Sequence, residues 1–578
     1  QPSPYKRLSA FRLDPDTAIT ATRQNAYARL DVVDSPSIHS APGLSLTYFG
    51  PLPPQIGLLI DGDALVPVTE ASGASPALAG ALPAAVAYAR RPGGEAVILG
   101  AGGSLDAWAA LANGAGSVTV VEPNQLVYEA LAGELHAFAG LEDERVRLVH
   151  DEIRAFIPRA SRTYDLVQLG LTDNYRPITS GAFTLTENYV LTVEAFRAYL
   201  DLCGEDGLLV FTRWLQNPPS EELRALGLIL AALGDRDPLR HIVAFRSFQT
   251  VTFIVRPTPF PSAEVDALLA DITRLRYDLL LAPIMPLAMI NRYARLETPI
   301  YHDLFLALAT APDRAAFYAA YDFDIAPPTD DHPFFFHLFR WRQTPAVLQN
   351  LGQRWQPFGG SGFFVLLALL AFAALAALFF VLLPVGLRGR FRAALRGAGS
   401  GRSARALGYF TAIGLAYLLV EVALIQRYIL TLGQPTLAVA TVIGALLLFS
   451  GLGSAGYRHL PWRRAMVGLV ALLAVYPWLT EALTPLLLPW PLLLRMAAVA
   501  LLIAPVGLLM GLPFPRATAA LADAPELVPW AWAANGSASV ISAVLAVTLS
   551  LSWGFTAVLL IGAGLYLLGA ALAARASA

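Results

Sequence analysis

From Phe363 onward the chain is a succession of apolar runs of about 20 residues, the length that crosses a bilayer's hydrocarbon layer as an α-helix. The runs fall at about 363–385, 407–430, 435–454, 466–484, 490–512, 532–551 and 555–573. Hydrocarbon offers backbone groups no water, so only helices or closed barrels can span it. None of these runs alternates in the manner of a barrel strand, so a seven-helix transmembrane domain is expected over 361–578. Composition agrees: 56% hydrophobic and 15% charged is too apolar for one soluble protein. Most acidic residues lie before position 350, which places a soluble region ahead of the membrane region.

Arginine placement predicts an orientation. The first loop carries Arg388, Arg390, Arg392, Arg396, Arg402 and Arg405, the third Arg458, Arg463 and Arg464, the fifth Arg516, and the tail Arg575. The alternate loops, near Gly433, Pro485 and Trp553, carry almost none. The positive-inside rule puts the arginine-rich side in the cytoplasm and the soluble region outside it. Arg340, Arg342 and Arg354, just before the first run, pull mildly the other way. A start at Gln1, with no initiator Met, fits removal of a signal peptide and hence export. The formal net charge of −2 makes no case for nucleic-acid binding. With Cys203 as the only cysteine, no intrachain disulfide exists.

Polar residues inside the apolar runs are costly and tend to be functional. Glu421, Gln426 and Arg427 in the second run and Asn535 in the sixth stand out. They make either a proton or substrate site or, as the favoured reading, interhelical hydrogen bonds that fix the bundle, with Arg427 snorkelling to an interface.

In the soluble region, residues 1–92 read as a β-rich subdomain, from the alternation in Ala18–Val33, the run Leu44–Tyr48, and Gly57–Ile60 leading into an Asp-Gly-Asp turn. Residues 93–257 alternate strand and helix, the pattern of a doubly wound Rossmann-like α/β domain. Strands are expected at Val97–Leu99, Val118–Val121, Val146–Val149, Leu166–Leu169, Leu208–Thr212, His241–Ala244 and Thr250–Val255. Residues 258–360 read as a helical and looped connector. Within it, Asp330-Asp331-His332 invites a metal reading, but adjacent side chains rarely converge on one ion, and no metal is expected.

The organising stretch is Glu95–Glu122. A buried strand ends on Gly100, Gly102 and Gly103, a helix starts near Ser104, and a second strand ends on Glu122. A turn without Cβ obstruction lets backbone N–H groups and a helix N-terminus approach a nucleotide-like ligand. An acid about 20 residues on is placed to hold a ribose hydroxyl pair. Asp151 and the segment Gly170–Asp173 fall at the ends of the next two strands, on the same crevice.

These residues carry a family resemblance. The glycine turn, Glu122, Val149-His150-Asp151 and Tyr164-Asp165-Leu166-Val167 resemble the spermidine synthase (polyamine aminopropyltransferase) branch of the class I S-adenosylmethionine-dependent fold. Ser3-Pro4-Tyr5 and Ile60-Asp61-Gly62 resemble that family's N-terminal β-domain. Gly181–Phe196, Ala416–Arg427 and Trp530–Ser537 resemble the membrane-embedded spermidine-synthase-like proteins of bacteria, which implies a multi-pass protein of the inner (plasma) membrane. The resemblance implies that Gly100–Gly103 pass the amino-acid end of S-adenosylmethionine or its decarboxylated form, that Glu122 binds the ribose, and that Asp151 binds the adenine amino group. It also implies dimerisation.

The acceptor side departs from the family. Aminopropyltransferases share an Asp-x-x-Asp pair after the fourth strand, where this chain has Gly170 and only Asp173. The family's Tyr-His-Glu segment before the glycine strand has no counterpart. A polycation needs several carboxylates and a base within hydrogen-bond reach, and Arg176 opposes it. Asp173 is then the one acid/base candidate, and Tyr175, Arg176, Glu187 and Tyr189 make a different, less cationic acceptor pocket. Three functions follow: a membrane-anchored aminopropyl- or methyltransferase-like enzyme; a non-catalytic interaction or scaffold subunit of a membrane complex; and, ranked last, a transporter of an amine or lipid. Membrane lipids are partners in each.

Overall fold

The structure, a computed structural model, describes residues 6–100, 102–171, 185–349, 361–384 and 400–574. The chain forms two compact units. One comprises Gln1–Ser180, Asn188–Thr329 and Leu338–Gln353; the other comprises Gly181–Glu187, Asp330–His337 and Arg354–Ala578.

The first unit begins with an antiparallel four-stranded sheet of β1 (Ala18–Gln24), β2 (Arg29–Asp34), β3 (Gln55–Ile60) and β4 (Ala64–Thr69), joined in chain order. Asp61 and Gly62 turn the last hairpin, both with positive φ (51° and 72°). The run Leu44–Tyr48, expected as a strand, is loop. Its Ser45 hydroxyl bonds to the Leu275 carbonyl at 2.6 Å instead of joining a ladder.

The second sheet has eight strands: β5 (Glu95–Leu99), β6 (Ser117–Glu122), β7 (Val146–His150), β8 (Leu166–Leu169), β9 (Leu208–Trp214), β10 (Ile242–Arg246), β11 (Thr250–Val255) and β12 (Asp278–Leu281). Their order is β12-β10-β11-β9-β8-β5-β6-β7. β7, β6, β5, β8 and β9 run parallel, and β11, β10 and β12 add on antiparallel. Ala96 to Leu99 are all buried, as a parallel strand covered on both faces requires. This mixed sheet with flanking helices is Rossmann-like. From β5 the chain adds strands outward on one side (β6, β7) and then on the other (β8, β9), so the order reverses between β5 and β8, where such folds hold ligands.

β12 falls in the stretch expected to be helical and looped. Its pattern, Asp-Leu-Leu-Leu, is too short to show a period. Asp278 is 1% exposed, pairs with Arg246 of β10 at 3.1 Å, and accepts the N–H groups of Arg292, Tyr293 and Ala294. A buried carboxylate is tolerated here because charge and hydrogen bonds satisfy it.

Among the described residues of the second unit six helices are long and apolar enough to cross a membrane: Gly362–Leu382, Gly401–Leu432, Pro435–Ala455, Trp462–Leu487, Leu492–Ala519 and Pro525–Ala573. The sixth is broken at Gly554, whose backbone (φ 80°, ψ 172°) is not helical. Buried Leu419, Leu424, Leu446, Leu469, Ile503 and Leu559 belong to one core. Leu447, Leu448, Val467, Leu493 and Leu501 point outward and are exposed, as lipid-facing side chains would be.

Candidate functional site

The crevice at the β5/β8 reversal begins with the glycine turn. Gly100, Gly102, Gly103 and Ser104 have φ of 86°, 49°, 83° and 83°. Left-handed backbone suits glycine and strains serine, yet Ser104 holds it at the head of the helix Leu105–Ala112. Ser104 is 1% exposed, and its Oγ has no hydrogen-bond partner among the described residues.

Two glycines here also answer to packing. A Cβ on Gly103 would collide with the Pro67 carbonyl of β4, and one on Gly170 with the Gly100 carbonyl. The second collision gives a physical reason why no acid stands at position 170: β8 leaves against the glycine turn too closely for any side chain.

Glu122 and Asp151 sit together at the ends of β6 and β7, where the Asp151 N–H donates to the Glu122 carbonyl at 3.3 Å. Glu122 is 5% exposed, and its Oε1 accepts the Asn124 N–H at 2.8 Å. Asp151 Oδ1 accepts from Arg159 Nη2 at 2.6 Å. Thus the turn and both acids line successive strand ends, and Arg159 engages one of the acids.

The remaining expected acceptor residues scatter. Asp173, Tyr175 and Arg176 lie outside the described residues. Tyr189, in the first unit, is 8% exposed, and its carbonyl accepts from Arg154 at 2.8 Å. Glu187 belongs to the second unit, where its Oε1 accepts from Gln426 Nε2 at 2.6 Å. Burial raises the Glu187 carboxyl above its ordinary range, and the bonds from its own N–H and from Gln426 counter this.

Sequence reasoning missed two acids. Asp106 lies in the first turn of Leu105–Ala112, on a cavity of about 260 Å³ that Gly102, Gln168, Thr212 and Trp214 also line. Burial pushes its carboxyl up to about 6, and a bond from Gln168 acts in the other direction. Gln168 is the polar member of the otherwise apolar strand Leu-Val-Gln-Leu and accepts from the Tyr88 hydroxyl at 2.8 Å. That polar interruption was the available signal. The second acid is Glu222, wholly buried after β9, which accepts the N–H groups of Gln216 and Ser220. Burial first, then the neighbouring Glu221 charge, pushes it up to about 8. Glu221 itself pairs with buried Arg213.

In the second unit, Asn535 donates to the Phe410 carbonyl at 3.1 Å, and Ser542 to that of Leu415 at 2.6 Å. Both tie the sixth helix to the second. Glu421 is half-buried in the second helix. The Arg427 side chain is 10% exposed and pairs with Asp331 at 2.7 Å. Asp331 also accepts from the Thr556 N–H (3.0 Å) and hydroxyl (2.6 Å), while His332 Nε2 meets the Leu551 carbonyl at 2.8 Å. The two residues therefore satisfy opposite ends of the break at Gly554: a carboxylate at the new N-terminus and an imidazole at the old C-terminus.

No family model matches the chain, and no curated protein matches it. Among solved structures it is similar to a spermidine synthase from Thermotoga maritima (TM-score 0.30, 13% identity, covering 52% of this chain and 86% of that one). It is also similar to a spermidine synthase in complex with the transition-state analogue AdoDATO (TM-score 0.29, 13% identity, 52% and 86%). A third is a probable spermidine synthase from Corynebacterium glutamicum (TM-score 0.30, 16% identity, 44% and 87%).

Proposed function

We propose that this is an integral membrane protein whose first unit binds an S-adenosyl-type nucleoside and serves as an aminopropyl- or methyltransferase. The observation that carries the reading is the left-handed backbone of Gly100, Gly102, Gly103 and Ser104 at the β5/β8 reversal, with a buried Ser104 hydroxyl that has no partner among the described residues. Strain of this kind, of order 1–3 kcal/mol for a non-glycine residue, persists where a site needs it. In this reading the turn's N–H groups face the donor's amino-acid end, Glu122 takes the ribose and Asp151 the adenine amino group. Asp173 is the acid/base candidate in this reading. S-adenosylmethionine, or its decarboxylated form, supplies a sulfonium-bound carbon open to in-line displacement, and positioning is the protein's main contribution.

Calorimetry of the full chain with methylthioadenosine, S-adenosylmethionine and decarboxylated S-adenosylmethionine tests this. Binding lost in Glu122→Gln supports it, and silence at millimolar ligand sinks it. A second reading, a non-catalytic membrane-anchored interaction subunit, draws on Gly170, which has no room for an acid, and on Asp151 being engaged by Arg159. That reading predicts the silent outcome.

The membrane half is read as seven crossings of a bacterial inner membrane, with the first unit outside the cytoplasm. The helix Val528–Ala574 has 47 residues. Unbroken, such a helix would be about 70 Å long, more than twice the hydrocarbon thickness, and the break at Gly554 supports two crossings. Protease added to intact cells should digest the first unit, and digestion confined to inverted vesicles overturns this orientation.

A further inference from the structure

Asp106 is a carboxylate in an unusual position. It joins no ion pair among the described residues, although Arg91, Arg159, Arg162, Arg213 and Arg256 in the same unit all do. It is half-buried on the wall of a partly open cavity, and desolvation there holds its proton on to about 6. Removing a carboxylate from water without a counter-ion is unfavourable. Gln168, whose carbonyl oxygen accepts from the Tyr88 hydroxyl, donates to Asp106 from the strand side.

The cavity has room and mixed chemistry. A dry cavity of about 150 Å³ takes a benzene ring, and this one measures about 260 Å³. Its walls include Leu65, Pro67, Leu82 and Ala109, with Trp214 at one end and Thr212 beside it. A mostly apolar wall with a few convergent polar groups is the usual make-up of a small-molecule site. The other charged or titratable groups facing the space are Arg7 and His39 from the N-terminal segments, and Tyr88 lies behind Gln168. One carboxylate with an arginine across the cavity suits one positive charge and opposes two.

We propose that this cavity binds a small monoamine with an apolar body, its ammonium paired to the Asp106 carboxylate and its body against Trp214 and the aliphatic wall. Because Gly102 belongs both to the glycine turn and to the cavity wall, the amine lies beside the nucleoside half-site. Its role as an acceptor rests on the nucleoside reading above. Asp106 then selects a monocation, where a paired-acid site would select a polycation.

Calorimetry of the full chain with phenethylamine as the monoamine probe and 1,4-diaminobutane as the dication tests the proposal. Phenethylamine should bind, and the diamine no better than it. Asp106→Asn should weaken phenethylamine at least ~10-fold, the scale of one lost charge-assisted bond. Binding to the wild type should strengthen as pH rises through about 6, where the carboxyl ionises, and this pH dependence should vanish in Asp106→Asn. Ala109→Leu, which fills the cavity and leaves Asp106 in place, should also abolish amine binding while methylthioadenosine affinity stays unchanged. Equal phenethylamine affinity in wild type and Asp106→Asn overturns the proposal, as does tighter binding of the diamine or no amine binding at millimolar probe. The two readings fail separately. Methylthioadenosine bound without amine removes this site alone, and Asp106-dependent amine binding without methylthioadenosine removes the transferase reading and leaves a monoamine site.

Discussion

Replacing Asp331 by alanine should loosen the second unit at one identifiable place. Three donors converge on this carboxylate: Arg427 Nη1 at 2.7 Å, the Thr556 N–H at 3.0 Å and the Thr556 hydroxyl at 2.6 Å. Its main-chain carbonyl accepts the Phe555 N–H at 3.0 Å and survives the substitution. Two costs follow. Arg427, 10% exposed, keeps its bond to the Pro477 carbonyl but loses its counter-ion. Breaking a fully buried pair costs about 3–5 kcal/mol, and Asp331's 34% exposure lowers that. Loss of an N-cap acceptor costs about 1 kcal/mol. The same carboxylate serves both roles, so the terms are not independent, and a total of roughly 3 kcal/mol is expected. Hydrogen exchange of the full chain in detergent, read on peptides covering 551–560, reports this locally. Protection there should fall by about 10²-fold. Arg427→Ala should be destabilising alone but add little to Asp331→Ala, giving a coupling of roughly 2 kcal/mol. Unchanged protection in Asp331→Ala, or strict additivity of the two, refutes the clamp.

Three further outcomes are expected. Gly103→Ala places a Cβ against the Pro67 carbonyl in a left-handed backbone (φ 83°); strain of about 1–2 kcal/mol and overpacking of about 1–3 kcal/mol should appear as faster exchange in β4 and β5. Glu222 keeps its proton to about 8 in the fold against an ordinary 4.5, so the unfolded chain ionises first and stability falls as pH rises from about 4.5 to about 8. Glu222→Gln should remove that slope, and denaturation curves of the two proteins that stay parallel across this range refute the assignment. Gly170→Asp places an acid at the end of β8, but its Cβ meets the Gly100 carbonyl; reduced stability with no gain in diamine binding is the expected calorimetric result.

Strands buried on both faces were legible because each is a continuous apolar run closed by a turn signal, as Ala-Val-Ile-Leu before Gly100 shows. β12 was not, since four residues carry no period and its Asp278 reads as a loop residue until Arg246 and three N–H groups enclose it. Leu44–Tyr48 misled for the opposite reason: its apolar residues serve a loop in which Ser45 is tied to a carbonyl 230 positions away. Of the candidate site, the turn, Glu122 and Asp151 were visible because they stand at strand ends in chain order. Asp106 was hidden, since an acid in the first turn of a helix has a sufficient local reason to be there. Only the strand that brings Gln168 across from it shows that it faces a cavity. The Asp331-His332 pair escaped similarly, because its partners Arg427, Leu551 and Thr556 are 96, 219 and 225 positions away.

The missing acid at position 170 has a cause in the backbone, and that cause bears on where acceptor chemistry could sit. β8 pairs with β5 in parallel register, Leu169 beside Leu99, and Gly170 donates its N–H to the Leu99 carbonyl at 3.0 Å. This extends the ladder one residue past the strand and draws Gly170 onto the Gly100 carbonyl, which a Cβ at 170 would meet in this backbone. An enzyme on this backbone that handles a cationic acceptor must therefore hold its carboxylate elsewhere on the same crevice. Asp106 meets that geometric condition: it lies in the first turn of the helix that follows the glycine turn, its cavity reaches Leu169 and Leu171 on either side of Gly170, and it joins no ion pair among the described residues. On the monoamine proposal, one carboxylate stands where a pair would, on a cavity that Arg7 also lines. Phenethylamine against 1,4-diaminobutane is thus the comparison that separates a relocated acceptor site from a lost one.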